Sequence, residues 1–97
     1  MPMYIMLNRY TPQGIGNVKQ STLRIDALRP VFKANRAEIR QVFLVMGAYD
    51  TVLIVEAPDD ETCARLSLIV GAAGNVRVET LRAFSEEEFR KIVSAIP

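Results

Sequence analysis

Residues Glu38–Ala57, EIRQVFLVMGAYDTVLIVEA, decide the fold. Glu38–Met46 is rich in β-branched and aromatic residues, as is Thr51–Ala57, and both read as strands. The connection Gly47-Ala48-Tyr49-Asp50 is short and contains a glycine, so the two strands form a hairpin. Successive side chains of a strand point to opposite faces. In Thr51–Ala57 one set is Thr51, Leu53 and Val55, the other Val52 and Ile54. In Glu38–Met46 the sets are Ile39, Phe43, Val45 and Val42, Leu44, Met46. All are apolar or nearly so, which a sheet with one wet face does not show.

Outward toward the N-terminus, Met3–Tyr10 reads as a strand. Thr11-Pro12 reads as an N-cap followed by proline at the first helical position. Ile15, Val18, Thr22, Ile25, Leu28 and Phe32 then recur at three- and four-residue steps, predicting a helix over Pro12–Ala34. Gly14 and Gly16 weaken its first turns, and Pro30 is expected to kink or end it. Outward toward the C-terminus, Pro58-Asp59-Asp60 breaks the strand and caps a helix over Asp60–Val70. Ala64, Leu68 and either Leu66 or Ile69 are expected to point inward, with Gly71 and Gly74 stopping the helix. Asn75–Phe84 is the last strand. Ser85-Glu86-Glu87-Glu88 is a capping box that opens a terminal helix with Phe89, Ile92, Val93 and Ile96 on one side.

The order β-α-β-β-α-β-α predicts an α+β fold, a ferredoxin-like βαββαβ sandwich with an extra C-terminal helix, as one domain over residues 1–97. Right-handed crossovers put both connecting helices on the same side of the sheet. Something else must cover the second apolar face. The terminal helix is only a few turns long, so a second copy of the chain is the simpler cover, as a homodimer or higher homo-oligomer.

Composition removes several classes of function. Twelve basic and eleven acidic residues leave a net charge of +1, which gives no electrostatic footprint for nucleic acid or an anionic membrane. The single cysteine, Cys63, cannot form an internal disulfide or hold a structural zinc alone. With no histidine, imidazole metal sites and histidine-based triads are excluded. No metal and no cofactor are expected. The N-terminus lacks the pattern of a signal peptide and no apolar run is long enough to span a membrane, so a cytoplasmic protein is expected.

Three blocks carry a resemblance: Met46-Gly47-Ala48-Tyr49-Asp50, Glu56-Ala57-Pro58-Asp59-Asp60, and Gly74-Asn75-Val76-Arg77 through Thr80-Leu81-Arg82-Ala83-Phe84. Together they resemble the GYD-domain family of small bacterial and archaeal proteins. The resemblance implies a ferredoxin-like fold of the dimeric α/β-barrel type. That family has no established biochemical activity, so the resemblance implies a scaffold and no particular reaction.

Two groups of residues are candidate sites. In the turn motif Gly47, Tyr49 and Asp50, the phenol and carboxylate could serve a polar ligand. Alternatively, Gly47 supplies a positive φ, Asp50 accepts amide hydrogens and Tyr49 packs nearby. Adjacency sends Tyr49 and Asp50 to opposite faces, which favours the second reading. The other group comes from topology, since the first and last strands of a split βαβ unit are neighbours. If Tyr4, Met6, Asn8 and Tyr10 and the set Asn75, Arg77, Glu79 and Leu81 both face away from the helices, then Asn8, Tyr10, Arg77 and Glu79 converge in a largely apolar cleft. The plainer alternative is an Arg77–Glu79 pair at a subunit interface. Gly71-Ala72-Ala73-Gly74 follows a helix and so reads as a C-cap, not a phosphate loop. Cys63 has no basic neighbour on its helix and reads as a buried inert thiol.

The leading functional reading is a non-catalytic homo-oligomeric module holding a small molecule near the subunit interface. A cofactor-free monooxygenase- or isomerase-like enzyme using the same cleft comes second, and a purely structural self-assembly protein third.

Overall fold

Four antiparallel strands form one sheet in the computed structural model, which describes residues 1–97. They are β1 (Met3–Tyr10), β2 (Glu38–Leu44), β3 (Thr51–Glu56) and β4 (Val76–Ala83), in the spatial order β2-β3-β1-β4. Helices α1 (Pro12–Gly16) and α2 (Ser21–Ala34) lead from β1 to β2, α3 (Asp60–Ala72) joins β3 to β4, and α4 (Glu86–Ser94) follows β4. This is the expected α+β ferredoxin-like arrangement with its extra helix.

Alternation along the central strands builds the core. Tyr4 and Met6 of β1 and Leu53 and Val55 of β3 point to one face, where they are buried against Phe32 of α2 and Cys63, Leu66 and Val70 of α3. Both crossover helices therefore lie on the same side. Beneath α3, Tyr4 donates from its hydroxyl to Asp60 Oδ1 at 2.5 Å, and burial with that contact pushes the phenol pKa upward. Burial likewise raises the Cys63 thiol to about 11, so Cys63 is inert at neutral pH as the sequence suggested.

Side-chain caps start three of the helices. Thr11 Oγ1 accepts from the Gly14 amide at 3.0 Å with Pro12 in the first turn. Asp59 Oδ1 accepts from the Thr62 amide at 2.8 Å, and Ser85 and Glu88 form the reciprocal box.

Four expectations are corrected. The first helix breaks at Asn17 and not at Pro30, which sits inside α2. A Cβ on Gly14 would lie 1.8 Å from the Asn75 carbonyl oxygen, so α1 hugs the α3–β4 connection and cannot share an axis with α2. Past Pro30, burial of Phe32 keeps the helix intact, while Ile15 and Val18 at the other end of the supposed stripe are exposed. In α3 the inward residues are Thr62, Cys63, Leu66 and Val70, whereas Ala64 and Leu68 face solvent. That helix also runs through Gly71, and the turn comes at Gly74, with φ of 85°. Finally, a bulge at Arg40 shifts the register of β2 against β3, pairing Ile39 with Val55 but Gln41 with Ile54. Beyond it the alternation is inverted, so Phe43 lies opposite Val52 on the open face and no longer shares a face with Ile39.

No helix covers the open face. There Phe43, Val52 and Leu7 lie side by side across β2, β3 and β1, and Ile54, Ile5 and Leu81 across β3, β1 and β4. The terminal helix does not fold back onto this surface. None of its residues is buried, and it makes no extensive contact with another helix or strand. The radius of gyration is accordingly 14.6 Å, against roughly 12.5 Å for a compact chain of this length.

Phe32 is fully buried, so Phe32→Ala should lower unfolding free energy by about 3–5 kcal/mol in urea titrations. Leu23→Ala, on the solvent side of the same helix, should change it by less than about 0.5 kcal/mol.

Candidate functional site

A cavity of about 270 Å³ opens between α2 and the helix-covered face of the sheet. Its apolar walls come from Ile25 and Leu28 of α2, Leu53 of β3, Val70 of α3 and Val76 of β4. Its polar groups are Asn8, Tyr10, Ser21, Arg24, Thr51 and Asn75, and no carboxylate or thiol lines it.

Five of these polar groups form two separate sets, and Asn75 accepts instead from Gln13. Asn8 and Thr51 are opposite each other in the β1–β3 register, and Asn8 Nδ2 donates to Thr51 Oγ1 at 3.2 Å. Asn8 is 3% exposed, yet its Oδ1 has no hydrogen-bond partner, the sole buried side-chain polar atom in that condition. An unsatisfied buried acceptor costs about 1–3 kcal/mol, so this atom is poised for a donor. The second set is a chain on the α2 side. The Tyr10 hydroxyl shares a hydrogen bond with Ser21 Oγ at 2.7 Å, and Arg24 Nη2 donates to the same oxygen at 3.2 Å. Arg24 Nη1 donates to the Asn17 carbonyl at 2.9 Å, fixing the guanidinium against the break between α1 and α2.

The hairpin turn sets the position of Tyr10. Gly47 takes φ of 121°, a region that L side chains avoid, and this lets the chain reverse. The Asp50 amide donates to the Asn8 carbonyl at 2.8 Å, and Asp50 Oδ2 accepts from the Tyr10 amide at 2.8 Å. Asp50 thus extends the β1–β3 ladder past the end of β3. Tyr49 points the other way, onto the open face. Its hydroxyl donates to Glu79 Oε2, and Arg9 lies over its ring at 4.7 Å to the centroid. The hydrogen bond to the Glu79 carboxylate is the main cause of an upward shift of the Tyr49 pKa.

The four residues expected to converge are split between the faces. Asn8 and Tyr10 line the cavity, whereas Arg77 and Glu79 are exposed on the open side. The register explains the separation: Asn8 is opposite Val78 and Tyr10 opposite Val76, while Arg77 faces Arg9 and Glu79 faces Leu7. Both sets were expected to face away from the helices. Arg77 and Glu79 do, but the Tyr4–Tyr10 set lies beneath the helices, where Tyr4 and Met6 are core. The cavity is therefore on the covered face and not on the face expected to meet a second subunit. Ser21, Arg24, Thr51 and Asn75 were missed. Ser21 and Arg24 are three residues apart on one helix face, a spacing visible in the sequence, but the break that turns this face inward was not.

The GYD-domain profile matches residues 4–93, nearly the whole chain. The chain belongs to the GYD family. Among curated relatives of this GYD protein is the glutamine synthetase and cystathionine beta-lyase binding protein of Thermus thermophilus. The two are 31% identical over 84 residues, covering 86% of this chain and 88% of the relative. A crystal structure of a protein from the same organism superposes with a TM-score of 0.57 at 28% identity, covering 88% of this chain and 95% of the other. No helix of the GYD protein is long and apolar enough to cross a membrane.

A raised phenol pKa means that the Tyr49–Glu79 contact contributes fully below the ordinary value of 10.0 and is lost as pH rises through the folded value. Glu79→Gln should therefore bring the tyrosinate absorbance of Tyr49 in at lower pH. Subtracting the titration of Tyr49→Phe isolates that signal.

Proposed function

We propose that this GYD protein is a non-catalytic binding module that holds a small molecule in the cavity beneath α2 and pairs with a second copy through its open sheet face. One observation carries the ligand reading. Asn8, a residue of the cavity lining, carries a buried and unpartnered acceptor, Oδ1, and the cavity is largely apolar with a few convergent polar groups, the usual form of a small-molecule site. The volume lies just below the range of roughly 300–1,000 Å³ for drug-sized ligands, which suits a compact metabolite. Of the sequence candidates, Asn8 and Tyr10 take the ligand-contacting role. Arg77 and Glu79 belong to the open face and its interface.

Pairing rests on apolar area. Four strands about 4.8 Å apart and about seven residues long present roughly 440 Å² of flat face. A stable dimer buries about 800 Å² per partner, so the sheet alone falls short. The projecting α4, with Phe89, Ile92 and Val93 exposed along one side, supplies further apolar surface where a partner's edge would lie. Arg77 has a like charge, Arg9, as its cross-strand neighbour, an arrangement that favours acidic groups from a facing copy.

A second reading is that the exposed apolar side of α4 docks another protein. The Thermus relative's name, a binding protein for two enzymes, supports this reading. An enzymatic role draws less support, because the cavity lining contains no carboxylate, thiol or histidine to act as a general base.

Sedimentation equilibrium at micromolar concentration should give a dimer or larger assembly, and Leu7→Glu should dissociate it. A monomeric wild-type chain would refute the pairing. Native mass spectrometry of freshly purified protein should show a co-purified small molecule that Asn8→Leu releases. Retention unchanged in that variant would remove the cavity as the site.

A further inference from the structure

We propose that the ligand of this cavity is a compact amphipathic carboxylate bearing an O–H or N–H donor at the end opposite its acid group. The inference rests on the ligand-binding reading above and assigns the chemical class.

Arg24 selects the acid group. It is half-buried and is the cavity's one charged residue. The protein's own carboxylates pair with Arg29, Arg40, Arg90 and Lys91, and none pairs with Arg24. Its contacts are neutral oxygens, the Asn17 carbonyl and Ser21 Oγ. A guanidinium has five N–H donors in a planar fork, so three remain free for a carboxylate. The Tyr10–Ser21–Arg24 chain holds the fork in place before a ligand arrives, which reduces the ordering entropy of binding.

Asn8 selects the far end. Its Oδ1 can only accept, so a ligand that satisfies it must donate. Because Asn8 is buried while Arg24 is half-buried, the donor end enters first and the acid stays nearer the mouth. Between them Ile25, Leu28, Leu53 and Val76 require an apolar body. A cationic ligand would find no carboxylate there, and a purely apolar one would leave Asn8 Oδ1 unsatisfied. One arginine and a cavity of about 270 Å³ are also too little for a polyphosphate.

The test uses para-hydroxyphenylacetate as probe, with phenylacetate lacking the donor and tyrosol lacking the charge, each titrated into the full-length protein by calorimetry. The probe should bind saturably, and each comparator should bind at least about tenfold more weakly, the loss expected for one unmade charge-assisted or buried hydrogen bond. Arg24→Gln should bring the affinity of the acid down to that of tyrosol while leaving tyrosol unchanged. Asn8→Leu should abolish the advantage over phenylacetate. Should Arg24→Gln fail to fold, acid against tyrosol on the unaltered protein decides the same point. Tyrosol binding as tightly as the acid would overturn the assignment, as would a co-purified molecule without an acid group, and in either case the ligand-binding reading would stand. If no probe binds and native mass spectrometry shows no co-purified molecule, both fall.

Discussion

The structure depends on a single asymmetry: both crossover helices cover the same face of a four-stranded sheet. In the order β2-β3-β1-β4 the two crossovers run in opposite directions from antiparallel strands, so right-handed connection puts both helices on one side. On the covered face, alternation brings Tyr4, Met6, Leu53 and Val55 against Phe32 and Leu66, and these side chains form the core. On the other face, the same alternation leaves Ile5, Leu7, Val52 and Ile54 with no helix above them. The core and the bare apolar surface are thus two results of one chain geometry.

The cavity arises where the helical cover is incomplete. Gly14 lets α1 approach the backbone at Asn75 too closely for any side chain, and the chain must break before α2 begins. The apolar stripe that would have filled the space is divided at this break, with Ile15 and Val18 turned outward. Ser21 and Arg24 face the gap instead, opposite Asn8 and Thr51 on the sheet. The hairpin turn at Gly47–Asp50 acts here indirectly. Asp50 accepts from the Tyr10 amide, and Tyr10 reaches Ser21 with its hydroxyl, so the hairpin is connected to the cavity through two hydrogen bonds.

Much of the fold was legible from local chemistry. Strand periodicity, the Thr11-Pro12 start, the Asp59 cap, the Ser85–Glu88 box and the positive φ of Gly47 all follow from residues within a few positions of one another. The site was half legible. Asn8 and Tyr10 stood out as polar residues in an apolar strand, and both line the cavity. Arg77 and Glu79 do not join them because the Tyr4–Tyr10 set was expected on the helix-free face, whereas core packing of Tyr4 and Met6 turns it beneath the helices. In a sheet a one-residue shift of register moves a whole set of side chains to the other face. The bulge at Arg40 had the same effect on Phe43.

The amino-acid sequence by itself determined the order of elements, their caps and turns, and the apolarity of both sheet faces. Those properties depend on propensity, periodicity and hydrogen bonds between near neighbours. Tertiary structure alone decided which polar residues share a face, where the first helix breaks and whether the last helix covers the sheet. Each depends on how distant parts of the chain meet: the register of β1 against β4, the approach of Gly14 to Asn75, and the failure of α4 to bury any residue against the rest of the chain. Contacts between residues some sixty or more positions apart leave no periodic trace in either segment. They become visible only once the chain has closed on itself.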